Sequence, residues 1–145
     1  MLGQPAAMAQ LAPKAPSDKP VTVDSARVDK LERAIQPYIA QARASYPDAK
    51  KNFLSGLPHG DVFFVTVLLR DTGGHVEQVF VAVRAIKDGR IYGKVASDVS
   101  LVKGFHNGDP YDFPEIDLRD WSISKPDGSE EGNYVGKFLD TYRPE

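Results

Sequence analysis

The fold of this chain is decided by the segment Val62-Phe63-Phe64-Val65-Thr66-Val67-Leu68-Leu69, the turn Asp71-Thr72-Gly73-Gly74 and the run Val76–Ile86. The first run is apolar at nearly every position, which predicts a strand covered on both faces. The glycines of the turn accept the positive φ angles that tight hairpins need, and Asp88-Gly89 is a second signal of this kind. Connections this short join antiparallel neighbours, because parallel pairing needs a long crossover.

Further strands are predicted after these two hairpins. Arg90–Ala96 follows the second turn, and Leu118–Ser124 is a strand that ends at the turn Lys125–Gly128. We predict that Tyr134–Leu139 is the last strand, bent by the glycines of the segment Gly132-Asn133-Tyr134-Val135-Gly136. Together the pattern predicts an antiparallel meander of about five strands, strongly bent.

The residues before these strands have a helical period. Apolar side chains recur at three- and four-residue spacing at Val28, Leu31, Ile35, Tyr38, Ile39, Ala42 and Tyr46. Pro37 lacks the N–H that the helix ladder needs, so we predict a kink or a break there. Pro47 is predicted to end the segment, and Asp48–Leu54 to form one further short helix. The fold class is therefore α+β, with an N-terminal kinked helix or helix pair packed on the sheet.

Residues 1–23 differ in composition from the rest of the chain. Prolines lie among Ala, Lys and Ser without a periodic apolar face, so we predict a disordered tail followed by a single domain over residues 24–145. Inside the tail, Ala7-Met8-Ala9 has the small-x-small form of a signal-peptidase site, which predicts a signal-peptide remnant. The protein is then periplasmic or secreted; it is cytoplasmic if the tripeptide is chance.

Composition excludes several kinds of site. The 145 residues include no cysteine, which excludes disulfides, thiolate nucleophiles and zinc or iron–sulfur sites built on cysteine. The net charge of −2 gives no indication of a nucleic-acid partner. No stretch approaches the roughly 20 apolar residues of a membrane-spanning helix. We predict no bound cofactor, and the sequence does not indicate an oligomeric state.

A set of short motifs in a fixed order resembles the YegJ-like family of bacterial domains of unknown function. The most informative is Asp120-Trp121, preceded by Ile116 and followed by Gly128 and Gly132-Asn133-Tyr134. The other motifs that match are Ala34, Ala42-Arg43, Phe53, Glu77 with Phe80-Val81-Ala82-Val83, Gly93-Lys94-Val95 and Gly108-Asp109. The resemblance covers about residue 31 to 139. It implies a small bacterial domain, often exported, and it brings no activity, ligand or catalytic residue.

An acidic and aromatic surface is predicted near the end of the chain. Between residues 109 and 131, eight acidic residues lie against two basic ones, together with the only tryptophan. Trp and Tyr are enriched at binding hot spots because each offers a large apolar face with a polar handle. The predicted surface consists of Asp109, Tyr111, Asp112, Phe113, Glu115, Asp117, Asp120, Trp121 and Tyr134. Both this surface and the family resemblance assume that Leu118–Ser124 and Tyr134–Leu139 are paired strands.

Alternatives remain for these residues. In one interpretation Trp121 closes the core and Asp120 caps a neighbouring turn through backbone N–H groups; in the other, Trp121 is partly exposed on a platform for a partner. Our main hypothesis is a non-catalytic protein-interaction module. A small hydrolase or metal-dependent enzyme is the alternative, using the histidines and the loop acids, and an immunity or inhibitor protein is a further one. These histidines are His59, His75 and His106.

Overall fold

The computed structural model describes residues 6–8, 10–11 and 25–143. The helices are α1, Ser25–Ser55, and α2, Tyr134–Thr141, and a single 3-10 turn covers Glu115–Asp117. The strands are β1 (Ala6–Met8), β2 (Gln10–Leu11), β3 (Val62–Arg70), β4 (Val76–Lys87), β5 (Arg90–Val95), β6 (Ser97–Asp98), β7 (Pro110–Pro114), β8 (Asp120–Ser124) and β9 (Glu130–Gly132). An N-terminal helix therefore packs on an antiparallel sheet, which confirms the α+β fold class.

The main sheet has the strand order β7-β5-β4-β3-β8-β9. The two predicted hairpins are confirmed, since β3 pairs with β4 and β4 with β5, each in antiparallel register. Both faces of β3 are covered: Phe63 belongs to the core under α1, and Phe64 packs against Phe80 in a separate cluster on the other face. The register shifts by one residue in β4 between Val83 and Ala85, where the ladder contains a bulge.

The strand order departs from a simple meander at β8. This strand does not pair with β7, which precedes it, but with the far side of β3, where Trp121 lies opposite Val65. The chain must therefore cross from one edge of the sheet to the other side of β3. Residues Glu115–Arg119, which we call the crossover segment, make this passage, and Leu118 is buried in the core beneath α1.

The first helix was predicted to be kinked or broken at Pro37, and the broken form, a helix pair, is wrong. α1 runs without interruption from Ser25 to Ser55, with Pro37 and Pro47 both inside it, and no separate helix forms over residues 48–54. Each proline removes one ladder donor, which a helix tolerates when packing outweighs the loss. Both prolines are exposed, whereas Ile39 and Ala42 between them are buried, so the helix stays anchored across this stretch.

The predicted last strand, Tyr134–Leu139, is also wrong. This segment lies within α2, whose Val135 and Leu139 pack against Leu31, Ile35 and Ile39 of α1. The spacing of Val135, Phe138, Leu139 and Tyr142 is helical, and the two nearby glycines obscured that signal. Gly132 has a positive φ of 75° and lies against the backbone and ring of Trp121, so it turns the chain where α2 is about to begin.

Two segments of the predicted tail form strands. β1 pairs in parallel with Val76–Gln78 of β4, and β2 pairs in antiparallel register with β6. The rest of the predicted tail, including Ala9 of the possible cleavage site, lies outside the described residues. The domain division and the cellular location stay predictions. Among the described residues, no helix is long and apolar enough to cross a membrane.

Candidate functional site

Trp121 is part of the core. Only 7% of the residue is exposed, and its ring lies parallel to Phe63, with centroids 6.4 Å apart, and edge-on to Tyr134 at 6.0 Å. The indole N–H donates to the Oγ atom of Ser45 on α1 at 2.9 Å, which satisfies its one polar group. Of the two interpretations of Trp121, the structure therefore shows the structural one.

Asp120 caps the start of α2. Its carboxylate is 1% exposed and accepts backbone N–H bonds of 2.8 Å from Trp121 and from Val135 in the first turn of α2. Asn133 stands at the N-cap position but its side chain makes no capping bond, so Asp120 supplies that function from the neighbouring strand. Burial raises the pKa of Asp120 to about 6, although the backbone donors act to lower it.

Arg119 ties α1 to the sheet at the end of the crossover segment. The guanidinium donates to both carboxylate oxygens of Glu32 on α1, at 2.8 and 3.0 Å, and its Nε atom donates to the side-chain oxygen of Gln78 on β4. The side chain is almost fully buried, so this paired charge belongs to the fold and not to a surface.

The first half of the crossover segment is held by α1. The hydroxyl of Tyr46 donates to Glu115 at 2.6 Å, and the ammonium of Lys50 lies 2.9 Å from the same carboxylate. The Nε atom of Arg43 donates to the carbonyl oxygen of Leu118 at 2.8 Å. Burial acts to raise the pKa of Glu115, but the Tyr46 and Lys50 contacts outweigh it and lower the pKa. Burial, followed by the Glu115 contact, raises the pKa of Tyr46.

A groove of about 510 Å³ opens between α1 and the crossover segment, and its lining is mainly apolar. Ile116 stands on its rim and is 82% exposed; the other large apolar side chain exposed among the described residues is Leu54, at 58%. Leu54 lies one helical turn beyond Lys50, so it continues the same side of α1. We call the accessible lining of this groove the Ile116 surface; it consists of Arg43, Pro47, Lys50, Glu115 and Ile116.

Beside the Ile116 surface lie the acids of β7 and the 3-10 turn. Asp112 pairs with Arg90 at 2.7 Å and is about half exposed, and Asp117 is exposed. Tyr111 is half-buried, between Phe105 and Phe113. Burial raises the pKa of Tyr111, and the charges of Asp117 and Asp112 raise it further.

The structure divides the predicted surface into two groups. One group stays accessible, at least in part, along β7 and the 3-10 turn: Asp109, Tyr111, Asp112, Glu115 and Asp117. The other supports the fold from inside or beneath it: Phe113, Asp120, Trp121 and Tyr134. Because Phe113, Asp120 and Trp121 are buried, the nine residues do not form one accessible surface.

The residues of the enzyme alternative are not brought together. Among the described residues, no group of three or more His, Asp or Glu side chains could hold a metal ion. His75 bonds to Asp71 at 2.8 Å in the first hairpin turn, His106 lies 3.5 Å from Asp109, and His59 is an exposed turn residue. Each histidine is thus engaged or exposed on its own, and the structure assembles no catalytic set from them.

Sequence reasoning missed the α1 side of the groove and the role of Glu77. Arg43 and Pro47 lie off the apolar period of α1, and that departure was the available signal. Glu77, fully buried in β4, accepts backbone N–H bonds from Ser100, Leu101 and Val102 and so fixes the loop after β6. A glutamate within an apolar strand pattern indicates such a buried acceptor.

No family model matches the chain, and searches against curated proteins and against solved structures return no match. The resemblance to the YegJ-like family therefore stays a prediction. It assumed strands at Leu118–Ser124 and Tyr134–Leu139, and only the first of these is a strand in the structure. The resemblance now rests on the strand that contains Asp120-Trp121 and on the motifs that precede it.

Proposed function

We propose that this protein is a non-catalytic interaction module that binds a protein partner through the Ile116 surface and the acids beside it. The observation that carries the proposal is the 82% exposure of Ile116, an isoleucine held at the rim of a mainly apolar groove. A large apolar side chain that stabilises nothing in its own fold, placed beside a groove and rimmed by charges, is typical of a binding surface.

The way in which the chain holds Ile116 supports this proposal. The residue before it, Glu115, is fixed by Tyr46 and Lys50, and Leu118 two residues later is buried and held by Arg43. The exposed side chain therefore sits on a short, well-anchored turn. Binding through such a turn loses little conformational entropy, because the backbone is already ordered.

An immunity or inhibitor protein would be a special case of the same function, since its target would also dock on this surface. No observation favours the enzyme alternative, since the His, Asp and Glu side chains of the described residues form no group of three or more that could hold a metal ion. The sequence predicts that the protein is exported, and an exported protein would meet this partner in the periplasm or outside the cell.

A photo-crosslinking amino acid placed at position 116 in the intact chain tests the proposal in the source cells. The matched control carries the same group in place of Asp29, an exposed residue of α1. Position 29 lies about 20 Å along the helix from Arg43, given the rise of 1.5 Å per residue. We expect covalent protein adducts from position 116 and none from position 29.

Reversing the charge of one exposed acid gives a second test of the proposal. Asp117→Lys should reduce the adduct yield from position 116, whereas Asp29→Lys should not, although both reverse one exposed acid. Glu115 is unsuitable for this purpose, because its reversal would break the Tyr46 and Lys50 contacts and disturb the fold. Equal adduct yields from positions 116 and 29, or none from either, would contradict the proposal.

A further inference from the structure

We infer, on the basis of the proposed function, that the groove of the Ile116 surface accepts a segment of the partner in which a carboxylate stands beside an aliphatic side chain. The groove combines a mainly apolar lining with one cation, Arg43, that has no acidic partner among the described residues. In a pocket of this composition the apolar side chains provide the buried contact area, and the few polar groups select the ligand.

Three of the described residues that line the groove are charged, and two of them neutralise each other. The ammonium of Lys50 lies 2.9 Å from the carboxylate of Glu115, which also accepts the bond from the hydroxyl of Tyr46. The third is Arg43, which leaves the described lining with one uncompensated positive charge. This positive charge belongs to a chain whose net charge is −2. A partner that complements this part of the groove brings an anion.

The guanidinium of Arg43 is held in place on one side only. Its Nε atom donates to the carbonyl oxygen of Leu118 at 2.8 Å, and Leu118 also lines the groove. The two Nη atoms have no acceptor among the described residues, and the side chain is exposed, so an anion can reach them. Because a guanidinium is planar, its Nη atoms can donate two parallel bonds to one carboxylate, and the Leu118 bond orders the group before the ligand arrives.

The apolar part of the lining selects the other half of the ligand. Pro47, Ile116 and Leu118 belong to it, and the groove has a volume of about 510 Å³, which is typical of pockets that hold a small ligand. An aliphatic group in the groove would cover Ile116, which is otherwise 82% exposed. Asp112 and Asp117 are not lining residues, so contacts between the partner and these acids are separate from its contact with Arg43.

Titration of the isotope-labelled full chain with hexanoate, followed by NMR, tests this inference, and hexanamide is the neutral probe of the same length. We expect hexanoate to shift the backbone amide signals of residues 115–118 and the Nε–H signal of Arg43, with a roughly millimolar dissociation constant. Hexanamide should bind at least about tenfold more weakly, because a guanidinium bonds more strongly to a carboxylate than to a neutral amide.

Variants of Arg43 separate a direct contact from a structural role. Arg43→Gln should bind the two probes equally well, whereas Arg43→Lys should still prefer hexanoate, since it keeps the charge. If Arg43 acted only by holding Leu118, its loss would weaken both probes alike and leave the ratio of their affinities unchanged. Arg33→Gln removes an exposed arginine about 15 Å away along α1, and this control should keep the ratio of wild type.

Equal affinity of wild type for the two probes overturns the inference, as does a preference for hexanoate that survives in Arg43→Gln. Wild type that binds neither probe overturns it as well. In each of these cases, protein adducts from position 116 would leave the proposed function standing. If hexanoate binds through Arg43 but position 116 gives no adducts, the selectivity of the groove for a carboxylate stands and the proposed function fails.

Discussion

Eight of the nine residues predicted as one binding surface fall into two neighbouring regions that differ in what their side chains contact, and the ninth, Tyr134, lies on α2. From Asp109 to Asp117 most polar groups lie at the surface, and the one large apolar residue of the 3-10 turn, Ile116, projects away from the protein. From Leu118 to Trp121 every residue is buried, and the charged ones are bonded to α1, α2 or β4. Acidic and aromatic residues thus lie largely at the surface in one region and support the fold in the next.

The two regions meet within the crossover segment, and contacts with α1 fix the position of this segment. α1 holds Glu115 with Tyr46 and Lys50, and it holds Arg119 with Glu32, so both ends of the segment are fixed to one helix. Substitutions on the buried side should therefore cost stability, and substitutions on the exposed side should change binding alone.

The largest expected effect is that of Trp121→Ala. Removing a buried indole leaves a cavity against Phe63 and Tyr134 and deprives Ser45 of its donor, so the free energy of unfolding should fall by about 3–5 kcal/mol. Urea titration measures this change. Trp121→Phe keeps part of the ring packing and should cost less; a Trp121→Ala variant as stable as wild type would place Trp121 with the exposed region.

The second effect concerns Asp120 and pH. In the folded chain burial raises the pKa of this carboxyl to about 6, whereas an unfolded Asp loses its proton near pH 4. Between these values the folded state binds more protons, so the contribution of Asp120 to the free energy of unfolding decreases as pH rises, by about 3 kcal/mol in total. This contribution is fully present below about pH 4.

Asp120→Asn removes that titration, since the amide does not ionise. The free energy of unfolding of wild type minus that of the variant should therefore fall between pH 4 and 6 and stay constant above about pH 7. Chemical denaturation of both proteins across this range provides the measurement. A difference that grows as pH rises would mean that the α2 cap requires the charged carboxylate.

A smaller effect is expected for Tyr46→Phe. The variant loses the 2.6 Å bond to Glu115 but keeps the Lys50 contact, so the stability loss should be about 1 kcal/mol. Because the Tyr46 bond helps to lower the pKa of Glu115, that pKa should rise, as an NMR titration of the carboxyl would show. Tyr142→Phe is the control; an unchanged Glu115 pKa in Tyr46→Phe would show that the Tyr46 hydroxyl does not hold the Glu115 carboxylate.

The sequence predicted the parts of the fold that depend on local pattern. The apolar run of β3 and the glycine turns after β3 and β4 were sufficient for the hairpins. It did not predict that β8 returns to β3, because a crossover depends on contacts between residues far apart in the chain. The helix at Tyr134–Thr141 was missed for a related reason: the carboxylate that caps it comes from Asp120 on another strand, while the side chain of Asn133 at the N-cap position makes no capping bond.

The candidate site was predicted in part, and the limit again lies in long-range contacts. The acidic residues and Tyr111 of β7 were predicted because they lie close together in the sequence. The local sequence does not show that Trp121 and Asp120 face inward, because these two residues are buried by contacts with α1 and α2. Lys50 and Ile116 both line the groove, but they lie far apart in the sequence and come together only in the fold.

The division at the crossover segment is tested most directly by one pair of variants, Ile116→Asp and Leu118→Asp. Both replace an aliphatic residue by the same acid, two positions apart, but Ile116 is 82% exposed and Leu118 is 1% exposed. Their free energies of unfolding should be compared at low protein concentration, where self-association contributes nothing. We predict a change within about 0.5 kcal/mol for Ile116→Asp and a loss of about 3 kcal/mol or more for Leu118→Asp. Equal losses in the two variants would contradict the account.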